Sequence, residues 1–368
     1  MSVPEGRSSS HALSLALQGG GAWGAYTWGV LDRLLARRGI GIEQISGTSA
    51  GALNGAIVAS ALAGAPDPDA GRWRAREALA SFWHEMAADR AHDPMRLLLG
   101  PWGAAMSDQL GQWMLGTGTV SPYQANPLNL NPLRKAIADH VDIDAIRALR
   151  GPRLFVTATN VRTGLPRVFG SAEMSVDVLM ASACLPQIFQ AVEIDGEPYW
   201  DGGYCGNPSI WPLLHDGRAH DIVLVQLAAN VHPQLPRTAA EIRQRIGELM
   251  FSSSLVAEMQ AIHAMRGSFA RAGVDAPVLH ARFHRVGPPP ARDEGEAAGG
   301  SLDRSWRLLL ARRDQGRRAA SRFFALHRDA LGRRSTLDLA ATFMDPRKPK
   351  LRLAVPPARE DRASRLAG

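Results

Sequence analysis

Residues 13–24 read LSLALQGGGAWG, and residues 42–51 read IEQISGTSAG. Each begins as an apolar run of strand length and breaks at once into small residues. After the first run, Tyr26, Val30, Leu31, Leu34 and Leu35 fall at helical spacing between Gly24 and Arg38, and Gly39 marks the stop. After the second, Ala50 to Leu62 is an apolar, Ala-rich helix. Strand, glycine loop, helix, strand, serine turn, helix is the alternation of an α/β fold with a parallel sheet.

Farther along, the same signals continue. Leu154–Asn160 reads as a strand, and Ser175–Cys184 as a helix that stops before Pro186. Ala191–Trp200 reads as a hairpin turning at Asp195-Gly196, a dipeptide suited to two-residue β-turns. Asp221–Leu227 is another buried strand, Ile242–Phe269 a long helix, and Val278–Val286 a further strand. Residues 287–300 are Pro- and Gly-rich, and Ser301–Leu331 is a basic helical segment. Residues 64–130 break the rhythm. They carry Trp73, Trp83, Trp102 and Trp113, with Met86, Met95, Met106 and Met114 interleaved. Two readings stand, a helical excursion packed on the domain and a lid that receives an apolar substrate.

Composition narrows the class. The 368 residues are 45% hydrophobic and 21% charged, ordinary for a folded chain. No run approaches the roughly 20 apolar residues of a membrane span. Met1–Ser10 lacks the basic start and apolar core of a secretory signal and reads as a disordered lead-in. Cys184 and Cys205 form neither a disulfide framework nor a CxxC zinc half-site, so a reducing cytoplasm is the expected compartment. The net charge of +7 sits at one end: after residue 280, Lys and Arg outnumber Asp and Glu by 20 to 10. That excess reads either as a solvated basic face or as attraction to an anionic membrane. Trp306, Leu308–Leu310 and Phe323-Phe324 among its arginines fit an amphipathic interfacial helix. No nucleic-acid partner is expected.

Three motifs carry chemistry. Gly47-Thr48-Ser49-Ala50-Gly51 matches the G-x-S-x-G nucleophile elbow, in which a serine sits on a tight turn between strand and helix. Gly19-x-Gly21-x-x-Gly24 has two meanings. It satisfies the dinucleotide fingerprint, which wants an acidic residue at the end of the next strand, whereas Glu43 lies at that strand's start. It also offers consecutive backbone N–H groups to an oxyanion, and this reading is preferred beside a serine elbow. Asp201-Gly202-Gly203 offers a carboxylate in a turn, able to take the serine proton. His215, His220 and His232 lie downstream in no local motif and leave a Ser-His-Asp triad as the rival. His280 and His284 fall in a strand-like run, so neither a metal site nor an organic cofactor is expected.

In this order, the motifs resemble those of the patatin-like phospholipase family. The resemblance implies oxyanion donors at Gly19, Gly20, Gly21 and Ala22, a nucleophile at Ser49 and a base at Asp201. Ala181-Ser182-Ala183-Cys184-Leu185-Pro186, Glu193–Gly196 and Asn207-Pro208 also match. Trp23 departs from it, because many members carry Arg or Lys there. The fold implied is an α/β/α sandwich of three layers around a mostly parallel sheet, with a helical C-terminal extension. The expected division is a lead-in at 1–11, a catalytic domain at 12–230 with the insert at 64–130, the extension at 231–335 and a basic tail at 336–368. The expected activity is lipid ester hydrolysis by a Ser49–Asp201 dyad through an acyl-serine intermediate. A dinucleotide-dependent oxidoreductase and a non-catalytic lipid-binding module are the alternatives.

Overall fold

A computed structural model describes residues 11–87, 121–215, 221–228, 235–288 and 304–344. The lead-in, most of the Trp/Met segment (88–120), most of the 287–300 linker, His220, His232 and the tail from 345 lie outside the described residues. The chain runs β1 (His11–Leu17), α1 (Gly24–Leu35), β2 (Ile40–Thr48), α2 (Ala50–Ala63), α3 (Pro68–Glu85), α4 (Pro132–His140), β3 (Arg153–Asn160) and β4 (Pro166–Phe169). Then come α5 (Val176–Ser182), β5 (Val192–Ile194), β6 (Glu197–Asp201), β7 (Asp221–Val225), α6 (Ala239–Ala272), β8 (Arg282–Val286) and α7 (Trp306–His327).

All eight strands join one sheet in the order β5-β6-β3-β2-β1-β7-β8, with β4 beside β3. The five strands β1, β2, β3, β7 and β8 are parallel, and β4, β5 and β6 add an antiparallel end. Strand alternation separates two cores. Leu13, Leu15 and Leu17 face a cluster with α1, α2, α3 and α7, while Ala16, Ile222 and Leu224 face one with Leu255, Met259 and Ile262 of α6. Helices therefore cover both faces, which gives the three-layer sandwich the sequence implied.

Residues past 230 complete this sheet rather than standing beside it. β8 pairs with β7 throughout its length, and α7 lies along α1. Two glycines let those helices touch: a Cβ on Gly29 would lie 1.9 Å from the Arg313 carbonyl oxygen, and one on Gly316 would lie 2.0 Å from that of Tyr26. Leu309, Phe323 and Phe324 are buried in this contact, and Trp306 stacks on Trp28. This corrects the interfacial-helix expectation for that segment, because the apolar face of α7 is spent inside the protein. In the described part of the Trp/Met insert, Trp83 is buried, whereas Trp73, Tyr123, Leu128 and Leu130 are exposed. α3 starts at an Asp67 cap with Pro68 behind it and buries Leu79, Phe82 and Trp83.

Candidate active site

Ser49 stands on the turn between β2 and α2, as the N-cap of α2, with φ 53° and ψ −126°, a combination that L-residues rarely adopt. Such backbone costs about 1–3 kcal/mol and persists only where the surroundings impose it. Here they do. The Ser49 N–H donates to Ser182 Oγ at 2.9 Å, and Ser182 donates onward to the Thr157 carbonyl at 2.7 Å. Below the turn, a Cβ on Gly51 would lie 2.1 Å from the Leu17 carbonyl oxygen, so only glycine lets α2 leave the sheet so close to β1. Asn54 ties the first turn of α2 to α1: its Nδ2 donates to the Ala50 and Gly24 carbonyls, and its Oδ1 accepts from Trp83 Nε1.

Asp201 closes β6 and is fully buried. One carboxylate oxygen, Oδ1, accepts the Gly203 N–H at 2.7 Å. The other, Oδ2, has no hydrogen-bond partner among the described residues. Burial pushes the Asp201 pKa up to about 7, against the opposing pull of the Gly203 N–H and the Ser49 hydroxyl. The hydroxyl thus stands close enough to act on the carboxylate, although the pair lacks hydrogen-bond geometry. Long or poorly aligned contacts of this kind are common in sites without substrate. The Asp201 backbone is pinned by its N–H to the Cys184 carbonyl and by Thr159 Oγ1 to its own carbonyl.

A set of buried hydroxyls joins the segment after Asp201 to the strand ends. Thr48 Oγ1 donates to the Gly206 carbonyl, Ser46 Oγ to the Ser209 carbonyl, and Thr157 Oγ1 to Ser209 Oγ. Asn207 sits fully buried at the centre. Its Oδ1 accepts the Gly19 N–H at 2.6 Å, and its Nδ2 donates to the Phe251 carbonyl of α6 at 2.8 Å. This corrects one expectation: the Gly19 N–H is already engaged and is not open to an oxyanion. Gly19 instead fills the gap against the nucleophile, since a Cβ there would lie 2.7 Å from Ser49 Cβ. The next residues turn into a short 3₁₀ helix over Gly21–Trp23, where Gly21 has φ 55°. Among the described residues, no acceptor takes the N–H of Gly20, Gly21 or Ala22. These are the unpaired donors at the start of a helical turn.

Trp23 follows directly, and the Arg312 guanidinium of α7 lies 4.4 Å over its ring. Arg312 is buried, so α7 places a cation beside the glycine loop. From the sequence it fell in a basic stretch that reads either as a solvated face or as attraction to an anionic membrane. Neither Ser182 nor Asn207 had been given a role, although both lay inside matched segments.

The rival chemistries fit less well. Glu43 is exposed in the first half of β2, about 16 Å of strand from the loop at about 3.3 Å per residue. Among the described residues no histidine bonds Asp201, and His215 packs its ring edge against Trp211. Burial, then the Asp201 charge, pushes the Cys184 thiol up to about 12, which removes it as a nucleophile. His280 lies in a helical turn and pairs with Asp275, while His284 of β8 pairs with Asp221 of β7, so the two histidines do not converge.

Known proteins bear on this geometry. The model for the patatin-like phospholipase family matches residues 15–214, more than half the chain and inclusive of all three motifs. Among solved structures, VipD from Legionella pneumophila is similar at 16% identity and TM-score 0.34, covering 84% of this chain and 67% of its own. The heterodimeric ExoU–SpcU complex from the type III secretion system of Pseudomonas aeruginosa shows 18% identity and TM-score 0.30, covering 85% of this chain and 52% of that one. This chain thus spans about half the length of the second relative. No curated protein matches. The family match covers the glycine loop, the serine elbow and the aspartate turn together, and the chain belongs to the patatin-like phospholipase family.

Proposed function

We propose that the protein hydrolyses carboxylic ester bonds of lipids with Ser49 as nucleophile and Asp201 as general base. Membership of the family implies lipid acyl hydrolysis at the coarser level. The observation that carries the finer reading is the Asp201 carboxylate: fully buried, with one oxygen unpartnered among the described residues and its pKa raised to about 7 beside a strained serine. A base is most effective when its pKa lies near the working pH.

The steps follow from these groups. Ser49 Oγ attacks the ester carbonyl carbon as its proton passes to Asp201 Oδ2. The carbonyl oxygen becomes an oxyanion, held by the N–H groups of Gly20, Gly21 and Ala22 and favoured by the N-terminus of α2. Collapse expels the alcohol fragment, which takes the proton back from Asp201 and leaves an acyl ester on Ser49. Water then loses a proton to Asp201 and attacks that ester. A second collapse releases the fatty acid, and Ser49 recovers its proton.

The pH–rate profile tests this reading. The apparent kcat/KM on a soluble acyl ester should fall with decreasing pH through a single ionisation near 7, and Ser49→Ala should remove the activity at every pH. A flat profile from pH 5 to 8, or retained activity in Ser49→Ala, contradicts it.

A further inference from the structure

A concavity lies at the other end of the sheet from Ser49. It has a volume of about 450 Å³ and is lined by Arg266 of α6, His280, Arg282 at the start of β8, and Arg333, Arg334 and Ser335. β1, β2, β7 and β8 run parallel, so Ser49 and the glycine loop stand at their C-terminal ends, while Asp221 and Arg282 stand at the N-terminal ends. At about 3.3 Å per residue, the length of the strands separates the two places by roughly 20 Å.

The basic wall is held by a buried network. Asp221 accepts from Arg282 Nε and Nη2, from His284 Nε2 at 2.9 Å and from the Gly332 N–H. Burial pushes its carboxyl up, but the bonds from His284, Arg282 and Gly332 outweigh this and hold it well below the ordinary range. His284 Nδ1 contacts Thr336 Oγ1, and the Ser335 hydroxyl accepts the Phe283 N–H. The turn that carries Arg333 and Arg334 is thereby fixed to the strand ends on both sides. Arg266 donates to the Ala281 carbonyl beneath the concavity, and burial lowers its pKa, as for a partly dehydrated cation.

Charge is left over. Four guanidinium groups line the space. Of the carboxylates near it, Asp221 is committed to Arg282 and His284, and Asp275 to His280. Among the described residues, neither Arg333 nor Arg334 forms an ion pair. We infer that this concavity binds a phosphate-bearing anion, held by Arg333 and Arg334 with Arg266 and Arg282 behind them. Planar guanidinium forks match phosphate oxygens two at a time, which makes arginine suited to this ligand. The same chemistry could come from free phosphate or from a lipid headgroup. The place of the concavity, away from the nucleophile, makes it separate from the hydrolytic site.

The test uses full-length Ser49→Ala protein, so that no lipid is consumed. Titration calorimetry with inorganic phosphate at constant ionic strength should show saturable binding, with matched chloride as the control. Arg333→Ser/Arg334→Ser should weaken that binding by at least about tenfold. Both side chains are exposed, so the fold should survive, as an unchanged circular dichroism spectrum would verify. Should the double variant not fold, the single variants Arg333→Gln and Arg334→Gln carry the same comparison. A second arm floats the proteins with phosphatidylcholine vesicles containing phosphatidic acid. Vesicle binding that falls in the arginine variant and is competed by phosphate assigns the site to a headgroup. Vesicle binding equal in both proteins, with phosphate binding lost only in the variant, assigns it to a soluble phosphate. Absence of saturable phosphate binding, or equal phosphate affinity with and without the two arginines, overturns the inference.

Discussion

Replacing Asp201 by Asn should abolish hydrolysis and stabilise the protein, by an amount that grows with pH. A pKa of about 7 in the folded chain, against 3.8 for an ordinary carboxyl, means that the ionised Asp201 costs the fold about 4 kcal/mol at 1.36 kcal/mol per pH unit. The sign follows from proton binding. The folded state holds this proton more tightly than the unfolded one, so wild-type stability falls as pH rises from about 4 to about 7, then levels. Asn is close to isosteric, carries no charge and keeps an oxygen for the Gly203 N–H. Loss of the charge-assisted part of that bond offsets about 1 kcal/mol. Asp201→Asn should therefore come within about 1 kcal/mol of wild type near pH 5 and exceed it by about 3 kcal/mol at pH 8. Urea unfolding of both proteins at closely spaced pH values reads the difference directly. A stability gap independent of pH would refute the idea that burial raises the Asp201 pKa. A variant that is less stable at pH 8 would show that the ionised carboxylate is favoured by its surroundings.

Other consequences follow from single contacts. Ser182→Ala strips the acceptor from the buried Ser49 N–H and should cost about 1–3 kcal/mol in unfolding free energy. Because Ser182 acts through the serine backbone, it should lower kcat while KM stays near wild type. Gly19→Ala places a Cβ 2.7 Å from Ser49 Cβ, whereas Gly20→Ala meets the flexible Leu227 side chain at 3.1 Å and Trp23 Cβ at an ordinary 3.5 Å. Steady-state kinetics should show roughly 10²-fold or greater loss of kcat for Gly19→Ala, and a smaller loss for Gly20→Ala. Gly316→Ala forces α7 away from the Tyr26 carbonyl and should lower stability by about 1–3 kcal/mol in thermal unfolding, with Arg312 drawn off Trp23.

Much of this was legible in the chain. The two strand-to-small-residue breaks put Ser49 and the glycine loop at the ends of adjacent parallel strands, because apolar runs and helical periodicity record burial directly. Asp195-Gly196 likewise announced the hairpin that delivers Asp201. What escaped depends on partners remote in sequence. Pro166–Phe169 is too short and too polar at Arg167 to read as a strand, and it pairs only because β3 passes beside it. Ser182 and Asn207 are single polar residues whose roles exist only once Ser49 and Gly19 are folded against them. Arginines in α7 read as solvated charge or as attraction to an anionic membrane, yet Arg312 is buried over Trp23. Leu309 and Phe323-Phe324 looked equally suited to a membrane or to a core, and periodicity alone does not distinguish those two apolar environments.

Covalent trapping tests the Ser49–Asp201 account most directly. A fluorophosphonate reacts with a serine only where a base and an oxyanion site activate it. After brief incubation, peptide mass spectrometry should find the adduct on Ser49 in wild type and none in Ser49→Ala. In folded Asp201→Asn, the rate of labelling should fall by several orders of magnitude. An adduct on another serine, or labelling of Ser49 at the wild-type rate in Asp201→Asn, would contradict it.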